Sequence, residues 1–153
     1  MKTFLLITLA TLASLMLPFS ASASLGGNIN SVQADRAVLK GTLKSTTQAN
    51  YSVQQIRTPN GVVVREYASP SGNVFGVSWQ GPTRPNLRQV LGSYFTEFTK
   101  AVSPQMRFRL IRGPLRIQTN GLVVEMGGHM RWYVGRAYVQ ALIPAGVTAR
   151  EIQ

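Results

Sequence analysis

No cysteine occurs anywhere in the chain, and His129 is its one histidine. Thiol catalysis, disulfide staples and cysteine-ligated metals are therefore excluded. Acidic residues are also scarce: Asp35, Glu66, Glu97, Glu125 and Glu151 stand against 16 Lys and Arg. A zinc site would have to be assembled almost wholly from those scattered carboxylates, so no metal is expected. The phosphate-cradling patterns Gly-x-x-x-x-Gly-Lys and Gly-x-Gly-x-x-Gly are missing, which leaves no nucleotide cofactor to expect. The Gly-x-Ser-x-Gly elbow of serine hydrolases is missing as well.

What is present begins with a leader. Lys2 supplies a short positive start, Phe4 to Leu17 runs without a charge, and Ala21-Ser22-Ala23 follows Pro18 as a small-x-small processing site. The apolar run is shorter than the roughly 18 to 20 residues a membrane-spanning helix needs. The sequence therefore predicts a cleaved signal peptide over residues 1–23 and a single domain over residues 24–153, placed in the periplasm or outside the cell. Once Lys2 is removed with the leader, the 16 Lys and Arg become 15 against 5 acids, a formal net charge of +10. Such an excess draws anionic surfaces. Export makes an anionic glycan, a lipid or an envelope protein the expected partner, rather than nucleic acid.

The patterning predicts an α+β fold. A short helix is expected from Val32 to Leu39, with Gly41 as its stop. Tyr51–Thr58 and Val62–Tyr67 flank Pro59-Asn60-Gly61, a strong hairpin signal, and a turn at Pro70–Asn73 leads to a third strand through Trp79. Leu87, Val90, Leu91, Tyr94, Phe95, Phe98 and Val102 then fall at helical spacing, one long amphipathic helix that Ser103-Pro104 would stop. A second β-rich block follows. Met106, Phe108 and Leu110 alternate with Arg107 and Arg109, Leu115–Gln118 runs into Asn120-Gly121, and Gly127-Gly128 is read as a turn into His129–Leu142, where Gly135 marks a bulge. The expected architecture is an antiparallel meander of five to six strands covered by the long helix. Ile56–Val64 and Ile117–Val124 resemble each other locally, which raises duplication of a helix-plus-meander unit.

Two sets of residues could carry chemistry. Arg107, Arg109 and Arg116 are the anion-binding candidates, because forked guanidinium groups on one strand face suit phosphate, sulfate or carboxylate. A solvated strand face is the plainer reading of the same residues. The second set is Glu66, Glu125 and His129. Glu66 and Glu125 follow their Asn-Gly turns at comparable places, and a shared sheet could bring them to the roughly 5 to 10 Å that glycoside hydrolysis requires. Each could equally face solvent beside an arginine such as Arg65 or Arg131.

Val64-Arg65-Glu66-Tyr67, the turn Ser69–Gly72, Val74–Pro82 and Leu87–Phe95 resemble the secreted proteobacterial family called domain of unknown function 2844. Leu122–Arg131, Gly135–Tyr138 and Leu142–Val147 are similar to the same family, so the resemblance covers nearly all of the mature chain. It implies an exported bacterial protein and brings no activity, cofactor or catalytic residue. The order of a helix followed by meandering strands is also similar, in topology alone, to PepSY and cystatin-like modules, and fold does not fix function.

On the sequence, the expected function is a non-enzymatic binding or accessory module for an anionic envelope component or protein partner. A small envelope hydrolase using Glu66, Glu125 or His129 is the first alternative. A structural subunit of an exported assembly is the second.

Overall fold

The structure, a computed structural model, describes residues 25–102, 106 and 113–153. The expected leader and its cleavage site lie outside the described residues, as do Arg107 and Arg109. Met106, the described residue of the strand expected there, has helical rather than extended backbone.

Helix α1 spans Val32–Leu39 and is entered through a 3₁₀ turn at Ile29–Ser31, where the Asn28 side chain accepts a hydrogen bond from the Asn30 N–H. Four strands follow, β1 (Thr42–Thr47), β2 (Ser52–Arg57), β3 (Val63–Ala68) and β4 (Val74–Gly81). Helices α2 (Leu87–Leu91) and α3 (Phe95–Ala101) come next, then β5 (Leu115–Thr119), β6 (Leu122–His129) and β7 (Trp132–Val139). All seven strands join one antiparallel sheet in the order β1-β2-β3-β4-β7-β6-β5.

The α+β class and the antiparallel sheet agree with the sequence, but the strand count does not. The added strand is β1, Thr-Leu-Lys-Ser-Thr-Thr, an edge strand exposed along most of its length. With neither face buried, it carries no apolar alternation to read. The expected long helix is also broken in two. Gly92 takes φ 51° and opens a 3₁₀ turn, Gly92–Tyr94, between α2 and α3. The apolar stripe survives the break: Val90, Leu91 and Phe98 are buried, while Phe95 is half-buried with the Arg88 guanidinium 4.8 Å over its ring.

Alternation along the strands sorts side chains onto two faces. On one, Val64, Val77, Trp79, Val124 and Ala137 pack with Val90, Leu91 and Phe98 of the helices. We call this the covered face. On the other, Tyr67, Phe75, Val123 and Tyr138 close around Ile152, which the chain brings back over the sheet after a 3₁₀ turn at Ala149–Glu151. That face carries no α-helix among the described residues and is called the open face.

Gly135 marks no bulge, since it keeps register with both Trp79 and Met126. A Cβ there would come within 2.3 Å of the Trp79 ring, so the glycine makes room for the indole on the covered face. The two Asn-Gly segments are hairpins, β2–β3 and β5–β6, set symmetrically about the central β4–β7 pair. Asn120 and Gly121 take φ 43° and 82°, the two positive values that a two-residue turn demands. The turn expected at Gly127-Gly128 falls later. Strand β6 continues to His129, which pairs with Trp132 around Met130-Arg131, and Arg131 takes φ 66°.

Candidate functional site

Residues on β5, β6 and β7 share one cross-strand row, in which Arg116 pairs with Glu125 and Glu125 with Arg136. Arg116 Nη1 donates to Glu125 Oε1 at 2.7 Å and Arg136 Nε donates to Glu125 Oε2 at 2.6 Å, so one carboxylate lies between two guanidinium groups. Arg136 is held further by the carbonyl oxygens of Ala149, at 2.8 Å, and Ile152, at 3.3 Å. Arg116 is free of such ties. Its side chain is 61% exposed on an edge strand, where an ion pair contributes little and is readily exchanged for another anion.

The row lines an open groove of about 740 Å³ on the open face, with Gln80 and Val134 on one flank and Ile152-Gln153 on another. That last wall is built from the sheet outward. Ile152 is fully buried, and the Gln153 carbonyl oxygen accepts hydrogen bonds from Tyr67 Oη at 2.6 Å and Ser78 Oγ at 2.7 Å. Arg65 adds a longer bond at 3.3 Å. Chemically, the groove offers a guanidinium with spare donors, amide groups and a patch of apolar surface. Those are the elements of an anion-recognition site.

Of the arginines predicted from sequence, Arg116 is placed in this groove, whereas Arg107 and Arg109 lie outside the described residues. Arg136 was not anticipated. A turn at Gly127-Gly128 would have set Glu125 opposite Met130, and only the observed turn at Met130-Arg131 puts Arg136 beside it. Arg65 and Arg131, the expected partners of the glutamates, pair with neither. Arg65 instead donates to Gln55 and Gln153.

The three residues of the hydrolase alternative are not brought together. Glu66 lies on the covered face, two positions from Val64, and Glu125 on the open face, one position from Val124. The sheet itself separates them. His129 is exposed at the end of β6, four residues and about 13 Å of extended strand from Glu125.

Glu66 has an unusual setting. It is 3% exposed, faces Asp35 of α1 across a hydrogen bond, and has no partner for its Oε2. Burial, then the charge of Asp35 and that hydrogen bond, push its carboxyl up to about 9. Asp35 accepts from Gln89 Nε2 of α2, and Gln54, opposite Glu66 in the sheet, donates to Ser45. This polar cluster ties α1 and α2 to the sheet.

Together these features define an α+β protein whose antiparallel sheet carries its helices on one face and a basic groove on the other. A family model described as "Protein of unknown function (DUF2844)" matches residues 21–152, and the chain belongs to that family. No curated protein and no solved structure matches it.

Proposed function

We propose that this is an exported, non-enzymatic binding module whose open-face groove takes an anionic component of the cell envelope, an acidic glycan being the class that suits it best. The observation that carries this reading is the Arg116–Glu125–Arg136 row in a groove on the open face. Glu125 and Arg136 form the fixed base of the site, and Arg116 swings from Glu125 to the carboxylate or sulfate of the ligand. Gln80 and Gln153 supply neutral hydrogen bonds, and the chain's formal charge of +11, or +10 without the leader, raises the local ligand concentration.

The test is calorimetric titration with a soluble uronic-acid oligosaccharide in about 0.15 M salt, where screening acts beyond roughly 8 Å. Arg116→Gln should weaken binding by about tenfold or more, whereas Arg36→Gln, on the exposed side of α1, should leave it within about twofold. Equal losses would mean a whole-molecule charge effect and no site. Export is tested separately, by an intact mass that begins at Ser24.

A further inference from the structure

We propose that the tip of the β6–β7 hairpin is a membrane-contacting element that seats in the headgroup layer of an anionic phospholipid bilayer. The register makes the tip project. The last β5 partner of β6 is Met126, and the last β4 partner of β7 is Tyr133. His129 to Trp132 therefore extend beyond both neighbouring strands, with His129 and Trp132 paired only with each other.

Apolar exposure is concentrated on this projection. Of the five large hydrophobic residues exposed among those described, two stand on it, Met130 at 83% and Trp132 at 45%, and Val134, at 39%, lies two positions behind on the groove's flank. A methionine and a tryptophan at the end of a hairpin, flanked by polar backbone, match the composition of the bilayer interface, where indole rings settle at headgroup depth.

Charge selects the kind of surface. Arg131 sits in the turn itself, and Arg84 stacks 4.9 Å over the Tyr133 ring just behind it. The one acid of the hairpin, Glu125, is already engaged by Arg116 and Arg136. Shallow apolar insertion is weak alone, and so is cationic attraction, but the two together give stable peripheral binding. A narrow projecting tip also has little area to match a shaped protein pocket, whereas a fluid bilayer needs no shape complement. The inference is independent of the groove, which lies nearer the base of the same hairpin.

Tryptophan fluorescence tests it on the whole protein, because of the two tryptophans Trp79 is 2% exposed and Trp132 alone can change environment at the surface. Vesicles of phosphatidylcholine mixed with phosphatidylglycerol should shift the emission to the blue, and brominated lipid should quench it. Pure phosphatidylcholine should do neither. The double variant Met130→Ser, Trp132→Ala, read by co-flotation, should bind the mixed vesicles about tenfold less, with its thermal unfolding unchanged because both positions are exposed. If wild-type emission is the same with and without mixed vesicles, the proposal is overturned and the tip is left as a protein-contact surface. If the double variant floats as well as wild type, or soluble glycerophosphoglycerol competes fully, insertion is likewise ruled out. Neither result touches the groove reading, which is measured on a soluble oligosaccharide.

Discussion

Glu66 and Glu125 sit on equivalent inner strands of the two half-sheets, yet one lies between two arginines and the other faces Asp35 out of reach of water. Parity decides it. Val62 and Leu122, the residues after the two Asn-Gly turns, both point to the covered face, but Glu66 is four positions beyond Val62 and Glu125 three beyond Leu122. An even step stays on the same face and an odd one crosses the sheet. The lesson is that a single residue of offset turns one glutamate into a packing element and the other into part of a groove. On the proposed reading the faces divide accordingly, with most of the core on the covered side and recognition assigned to the open side.

Several measurements would break that division. The largest effect belongs to Leu91, fully buried on the covered face, where substitution by alanine should cost about 2–5 kcal/mol in chemical denaturation. Val134→Ala on the open face should stay within about 0.5 kcal/mol. Comparable losses at the two positions would contradict it. Glycines sharpen the same contrast. Gly135→Ala must displace the Trp79 ring and should cost about 1–3 kcal/mol, whereas a Cβ at Gly127 meets Pro114 at an ordinary 4.0 Å and should be nearly neutral.

The next effect is a pH dependence. Glu66 holds its proton in the fold up to about 9, against an ordinary 4.5 when the chain is unfolded. Folding therefore takes up a proton between those values, and the contribution of this group is full below about 4.5 and lost as pH rises toward 9. The slope is at most about 1.4 kcal/mol per pH unit. Glu66→Gln removes it, so the stability of the variant relative to wild type should rise steadily between roughly pH 5 and pH 8. A flat difference would show that Glu66 is ionised in the fold. The smallest change in stability is expected from Arg116→Gln, below about 1 kcal/mol because the ion pair is exposed. On the proposed reading its effect falls on binding instead.

Much of this arrangement was legible in the sequence. Periodicity located α1, the helical stripe and the strands flanking both Asn-Gly turns, because each buries one face and so leaves a pattern. β1 left none, being exposed at the edge. The break at Gly92 was hidden because the apolar stripe continues through the 3₁₀ turn. At the site, Arg116 could be named from its strand, but its companions depend on register. Gly127-Gly128 looked like the turn, and the three residues by which β6 runs on past Met126 exchange Met130 for Arg136 opposite Glu125. Asp35 beside Glu66 joins a helix to a strand 31 positions away in the chain, a contact that periodicity does not encode.

The most direct test of the division is to map backbone amide shifts while a soluble uronic-acid oligosaccharide is added. The account predicts saturable shifts at Arg116, Glu125, Arg136 and Gln153, with Asp35, Glu66 and Gln89 unmoved. Shifts centred on α1 and Glu66, or small shifts spread over every basic surface alike, would contradict it.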